Sequence, residues 1–231
     1  MISSDHRSLF IHIPKTAGQS VESAFLSDLG LAWEQRSKLL LKPNNDQKLG
    51  PPRLAHLTAS EYIDLGYIDE TRFNSYFKFC FVRNPWSRLA SEYLYRKGHG
   101  DAAYQGTLDD FIFKFFPKPV DDNHHTNKDY YRHVIPQVDF IYQGDKLCVD
   151  FVGRFERLDE DFSFIANKLN LQSKLLPHKN ATDRKWLRLL KSLVLRKKDY
   201  RTLYTDRSAE WVAKYYASDI KKFNYCFEEL N

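Results

Sequence analysis

The hydrophobic pattern of this chain changes period abruptly at two places, and each change falls on side chains suited to binding anions. Leu9-Phe10-Ile11-His12-Ile13 is a nearly continuous apolar run, as expected of a strand buried on both faces. From Ser20 the period becomes helical, with Val21, Ala24, Phe25 and Leu29 on one stripe and Glu22, Ser23 and Asp28 off it. Phe77 to Val82 repeats the strand pattern in aromatic and β-branched residues. Asn84 then reads as an N-cap and Pro85 as a first helical residue, followed by a buried stripe of Trp86, Leu89, Ala90, Tyr93 and Leu94. Later, Leu108, Phe111, Ile112 and Phe115 predict a helix over 107–116, and Leu158, Phe162, Ile165, Ala166 and Leu169 predict another. Apolar runs at 138–142 and 147–155 around Gly144-Asp145 predict a β-hairpin leading into a core strand. A terminal helix carries Val212, Ala213, Tyr216 and Ile220. The alternation predicts an α/β fold, one domain over residues 1–231, with a small, mostly parallel central sheet flanked by helices.

The first junction places Lys15, Thr16, Gly18 and Ser20 between strand and helix. Amides at a helix start favour anions, glycine permits close approach, and the Lys and hydroxyl side chains add donors. The loop is not G-x-x-x-x-G-K-[ST], because its Lys precedes its Gly. At the second junction Arg83 ends the strand, where open α/β sheets bind ligands, and Ser91 lies about two helical turns on. An Arg fork suits phosphate oxygens. Taken singly, an ordinary turn with a solvated Lys, or an Arg paired with a carboxylate, fits each junction as well. Together they describe two phosphate grips, the requirement of a nucleotide phosphorylated at both ends of its ribose.

At the family level, HIPKTAGQS resembles the 5′-phosphosulfate loop of the Golgi-type carbohydrate sulfotransferases and their bacterial relatives (sulfotransferase family 2), and VRNPWSRLASEYLY resembles their 3′-phosphate loop. AHLTASEY, IPQ, DFVGRFERLDEDF, LPHKNAT and KYYASDIKKFNYCF follow in the same order. The resemblance implies a P-loop-kinase-like, three-layer α/β fold and 3′-phosphoadenosine 5′-phosphosulfate (PAPS) as donor, leaving 3′-phosphoadenosine 5′-phosphate (PAP). It assigns Lys15, Thr16, Ala17, Gly18, Gln19 and Ser20 to the 5′-phosphosulfate, and Arg83 and Ser91 to the 3′-phosphate. Gln19 stands where the family commonly has Thr or Ser. The implied acceptor is a carbohydrate hydroxyl, reached without a metal, with Lys15 stabilising the leaving phosphate.

His56 is the expected general base. Imidazole titrates near neutrality, and the residue precedes a capped helix start, Thr58-Ala59-Ser60-Glu61, in a place comparable to the catalytic His of some relatives. His12, within the first strand, is expected to be a packed core residue. The loop from Lys42 to Arg53 runs into His56 and is a candidate gate or a plain surface excursion.

Composition narrows the alternatives. The N-terminus lacks an apolar leader and no run reaches membrane-spanning length, so the expectation is a soluble, cytoplasmic enzyme of bacterial type. Three cysteines, far apart in apolar surroundings, predict reduced, buried thiols. Net charge is +5, concentrated in a basic amphipathic stretch at 184–201, a solvated face or a contact for a membrane or an anionic glycan. No nucleic-acid motif accompanies that charge. The competing functions are a P-loop-like nucleotide phosphotransferase, which wants Gly-Lys-Ser/Thr and a carboxylate for Mg²⁺, and a non-catalytic nucleotide- or polyanion-binding protein.

Overall fold

A computed structural model describes residues 1–176 and 199–228. The basic stretch at 184–201 lies outside the described residues up to Lys198, as do His178 and most of LPHKNAT. Among the described residues there are six strands: β1 (Ile2–Ser3), β2 (Ser8–Phe10), β3 (Phe77–Val82), β4 (Tyr142–Gln143), β5 (Lys146–Leu147) and β6 (Phe151–Arg154). The central sheet has the order β1-β2-β3-β6, with β2, β3 and β6 parallel and β1 antiparallel at the edge. The described α-helices are α1 (Gly18–Asp28), α2 (Ala59–Asp64), α3 (Glu70–Ser75), α4 (Pro85–Gly98), α5 (Leu108–Lys114), α6 (Val138–Ile141), α7 (Leu158–Lys168), α8 (Asp206–Tyr215) and α9 (Ala217–Phe223). The fold is mixed α/β, with a small, mostly parallel sheet flanked by helices.

Strand alternation sorts the core into layers. Leu9, Ile11, Cys80 and Val82 face one side, with Tyr62, Phe73 and Phe140. Phe10, Phe79 and Phe81 face the other, with Val21 and Phe25 of α1 and Phe162 and Ile165 of α7. A third cluster joins α4, α5 and α8 through Trp86, Leu89, Phe111 and Val212. Gly153 pairs with Phe81 across the sheet, and a Cβ there would come within 2.6 Å of the Phe81 ring.

Several sequence expectations need correction. Residues 138–141 form a helix, not a strand, because Asp219 of α9 caps them from far along the chain, accepting from the amides of Gln137 and Val138 at 2.9 Å each. The predicted hairpin shrinks to β4 and β5. Glu22, expected off the buried stripe of α1, is buried. Cys80 is buried, but Cys148 is half-buried and Cys226 exposed, all as free thiols. The loop before His56 is tied internally: buried Asn44 donates through Nδ2 to the carbonyls of Asp46, Gly50 and Pro51. Among the described residues, no helix is long and apolar enough to cross a membrane.

Candidate active site

Parallel strands β2 and β3 end at the same edge of the sheet, bringing the two junctions together. After Phe10 the chain leaves β2, although the Ile11 amide still donates to Phe79 O. It then turns at Pro14 and enters α1 with Lys15 at φ 70° and Ala17 at φ 68°. Left-handed conformations at non-glycine residues are costly, and they persist only where the surroundings impose them. Here buried Arg88 of α4 donates through Nε to Pro14 O at 3.0 Å, and Arg83 donates through Nη1 to Lys15 O at 3.3 Å. Arg88 also holds the carbonyls of His133 and Ile135, so one guanidinium fixes two loops.

No side chain caps α1, whose N-cap is Ala17. The Ser20 amide turns back to Ala17 O at 3.0 Å, and the Gly18 and Gln19 amides precede the helix's own ladder, where an anion would bind. Thr16 is fully buried and its hydroxyl donates to Ile13 O at 2.8 Å, whereas Gln19 is exposed and Ser20 half-buried. Gly18 is required for a reason other than ligand approach. A Cβ there would come within 1.8 Å of His12 Nε2, because the His12 ring lies on the start of α1.

The second junction is built differently. Asn84 caps α4, accepting from the amides of Trp86 and Ser87, and Pro85 opens the helix as expected. Gln137 brackets the Arg83 backbone, accepting from its N–H and donating to its carbonyl, both at 2.8 Å. The guanidinium stacks 4.0 Å from the Phe155 ring centre and donates to Ser87 Oγ at 3.0 Å. Ser91, half-buried, lies one turn beyond Ser87, and Tyr95 one turn beyond Ser91. Lys15 Nζ sits 3.9 Å from the Tyr95 ring centre, so Arg83 and Lys15 bracket the Ser91 stretch of α4.

Electrostatics keep both cations usable. Burial lowers the Lys15 ammonium to about 8; Glu92 opposes that shift, while Arg83 and Arg96 add to it. Burial lowers Arg83 to about 10, with Glu156 opposing, so it stays charged at neutral pH.

His56 closes a short 3₁₀ turn, Leu54–His56, and is buried. Thr58 and Glu61 form the expected capping box immediately after it. Its Nδ1 lies 2.5 Å from Asp129 Oδ2. A carboxylate only accepts, so Nδ1 carries the proton and Nε2 of the neutral ring is left as the base. Burial brings His56 down to about 4 against the opposing pull of Asp129. His12 packs edge-on against it, ring centres 4.8 Å apart, and donates through Nδ1 to Glu22 Oε1 at 2.7 Å. His12 is thus not merely core: it connects the Lys15 loop to His56. His12, His56, Gln19, Trp33, Arg36, Lys42 and Arg53 border one cleft of about 330 Å³.

Asp129 and His133 were not singled out by sequence reasoning. The available signal was their four-residue spacing in KDYYRHV, which one helical turn brings to one side. Donor atoms of His56, Asp129 and His133 lie within 4.8 Å of one another, a set able in composition to hold a cation. Here His56 and Asp129 are joined by the short hydrogen bond, while His133 Nε2 lies 3.3 Å from Asp129 Oδ1 in a charge contact and makes no hydrogen bond.

Two curated relatives and a family model match the chain. Over 103 residues, 45% of this chain and 75% of the relative, it is 31% identical to an uncharacterised protein of Archaeoglobus fulgidus. Over 194 residues, 73% of this chain, it is 25% identical to carbohydrate sulfotransferase 14 of Danio rerio, of which the match covers 47%. No solved structure gives a significant match. The model of the sulfotransferase family matches residues 1–226, nearly the full length. With that match added to the two converging loops, the chain belongs to the sulfotransferase family.

Proposed function

We propose that this protein moves a sulfuryl group from PAPS to a hydroxyl of a carbohydrate, with His56 as general base. The observation that carries the reading is the 3.3 Å hydrogen bond from Arg83 to the Lys15 carbonyl, which joins the two candidate loops directly. The donor fits the joined loops by charge and by backbone: an uncapped helix start and Lys15 at one end, Arg83 and Ser91 at the other. PAPS supplies an activated sulfuryl group on a good leaving phosphate. Residues 15–20 bind the 5′ end, Arg83 and Ser91 the 3′-phosphate, and the Lys15 ammonium offsets charge that develops on the leaving oxygen. His56 Nε2 accepts the acceptor's hydroxyl proton, and Asp129 stabilises the imidazolium so formed. The cleft beside His56 seats the acceptor, and Arg36, Lys42 and Arg53 on its border suit a sugar that carries negative charge.

A nucleotide phosphotransferase is disfavoured by the loop, which has no Gly-Lys-Ser/Thr run. The test is incubation of the purified protein with ³⁵S-labelled PAPS and a panel of acidic and neutral polysaccharides. Label transferred to a polysaccharide, and absent with His56→Ala, is the expected result. Phosphoryl transfer from Mg·ATP with no sulfate transfer would replace this reading with the kinase one, and nucleotide binding without turnover would favour a binding protein.

A further inference from the structure

Glu92 lies on α4 next to Ser91, is fully enclosed, and has no part in the two loops. Its oxygens are divided between partners: Oε1 accepts from Arg96 Nε at 2.6 Å and Oε2 from His133 Nδ1 at 2.8 Å. The other nitrogen of His133 faces Asp129 Oδ1 at 3.3 Å, and the second oxygen of Asp129 holds His56. A lone pair on His133 Nε2 would face the Asp129 carboxylate, so the doubly protonated cation is the form that both carboxylates favour. Without that cation, the two buried carboxylates would have to share Arg96, with Arg53 at the edge of Asp129.

We propose that Glu92, His133 and Asp129 form a buried charge relay that ties the phosphate-binding Lys15 to the base His56, with His133 as its central positioning residue. The inference rests on the roles given above to Lys15 and His56. At the donor end, Lys15 Nζ and the Arg96 guanidinium that pairs with Glu92 both lie over the Tyr95 ring, and Glu92 opposes the lowering of the Lys15 ammonium. At the acceptor end, His133 holds Asp129 in place and takes part of its charge. Its ring stands edge-on to His56, centres 5.0 Å apart, and its positive charge opposes a second proton there. His56 therefore stays neutral and able to accept a proton while keeping a carboxylate on Nδ1. The shifts agree in direction. Burial alone would raise Glu92, yet His133, Arg96 and Lys15 bring it down to about 2. Burial alone would lower His133, yet Glu92 and Asp129 raise it.

The charged groups around the relay are Glu92 and Arg96 from α4, Asp129 from its own turn, His56 and Arg53 from the 3₁₀ turn region, and His12 and Glu22 beyond. All remain when His133 is replaced by Gln, so the variant isolates one charge. Imidazole ¹⁵N NMR titration of the full chain reads each ring directly and needs neither donor nor acceptor. The wild type should show His133 doubly protonated at pH 7 and His56 neutral, titrating near 4. His133→Gln should move the His56 midpoint upward, and Asp129→Asn should move it downward. Glu92→Gln should weaken PAP binding at pH 7.5, with affinity recovering as pH falls and Lys15 regains its proton. An unshifted His56 midpoint in a folded His133→Gln variant would overturn the relay. So would a neutral His133 in the wild type at pH 7, which requires no variant to fold. Stoichiometric Zn²⁺ binding lost in His133→Gln would also overturn it, in favour of a coordination site. If the wild type fails to bind PAP, the transfer reading falls, and the ring titrations still judge the relay.

Discussion

The loops at Lys15 and Arg83 face the same space, yet their helix starts are finished in opposite ways. At Arg83 the helix is capped: Asn84 takes the amides of Trp86 and Ser87, so this loop has side chains left for an anion and few amides. At Lys15 no side chain caps the helix, Lys15 and Ala17 take left-handed conformations, and the Gly18 and Gln19 amides precede its ladder. On the proposed reading, the capped start would bind through Arg83 and Ser91, and the uncapped one through its backbone, with Lys15 adding charge. The difference also divides the cost of construction. The capped loop is stable in its own geometry, whereas the uncapped one depends on Arg88, Arg83 and His12 to impose its shape.

The largest expected effect comes from a residue in neither loop. His56→Ala should lower turnover by about 10²- to 10⁴-fold, the usual range for a general base, and leave PAP affinity unchanged. A matching loss of affinity, measured by calorimetry, would mean that His56 belongs to the donor site instead. Next is Arg88→Met, which orphans the carbonyls of Pro14, His133 and Ile135. At roughly 1–3 kcal/mol for each buried unsatisfied group, it should destabilise the fold by about 3 kcal/mol or more. A melting temperature close to wild type would show that the Lys15 loop keeps its shape by local means.

Arg83→Ala should weaken PAP binding by about 10- to 100-fold, from the loss of charge-assisted contacts worth about 1.5–3 kcal/mol. Arg83→Lys should recover only part, since an ammonium cannot bind bidentately. The smallest effect separates the loops by pH. Lys15 titrates near 8 in the free protein, while Arg83 is held only down to about 10. A bound anion raises the Lys15 value, so PAP binding is at full strength below pH 8, weakens as pH rises above it, and takes up a proton there. Calorimetry at pH 8.5 in buffers of different ionisation enthalpy would detect that proton. Its absence would remove Lys15 from the anion site.

How much of this could be read from the chain follows the same division. Features closed within a few residues were legible: the Asn84-Pro85 start of α4, the Thr58–Glu61 capping box after His56, and the buried strand β3. What was missed is held by distant partners. Residues 138–141 look like a strand until Asp219 caps them as a helix. Glu92 and Arg96 stand at i, i+4 on α4 with nothing local to mark them, and packing buries both. Asp129 and His133 carry only their spacing as a signal, and no local rule says that they meet His56 and Glu92. His12 was read as core because it follows an apolar run. Its contacts with Gly18 and His56 arise from where the chain leaves the sheet.

The central claim is that the two loops together form one site for a nucleotide phosphorylated at both its 5′ and 3′ positions. Calorimetric titration of the purified protein with PAP, against AMP and ATP and without added metal, tests it most directly. Micromolar binding of PAP, with AMP far weaker and the preference abolished by Arg83→Ala, is the predicted result. Equal affinity for PAP and AMP, or a preference for Mg·ATP once metal is supplied, would contradict it.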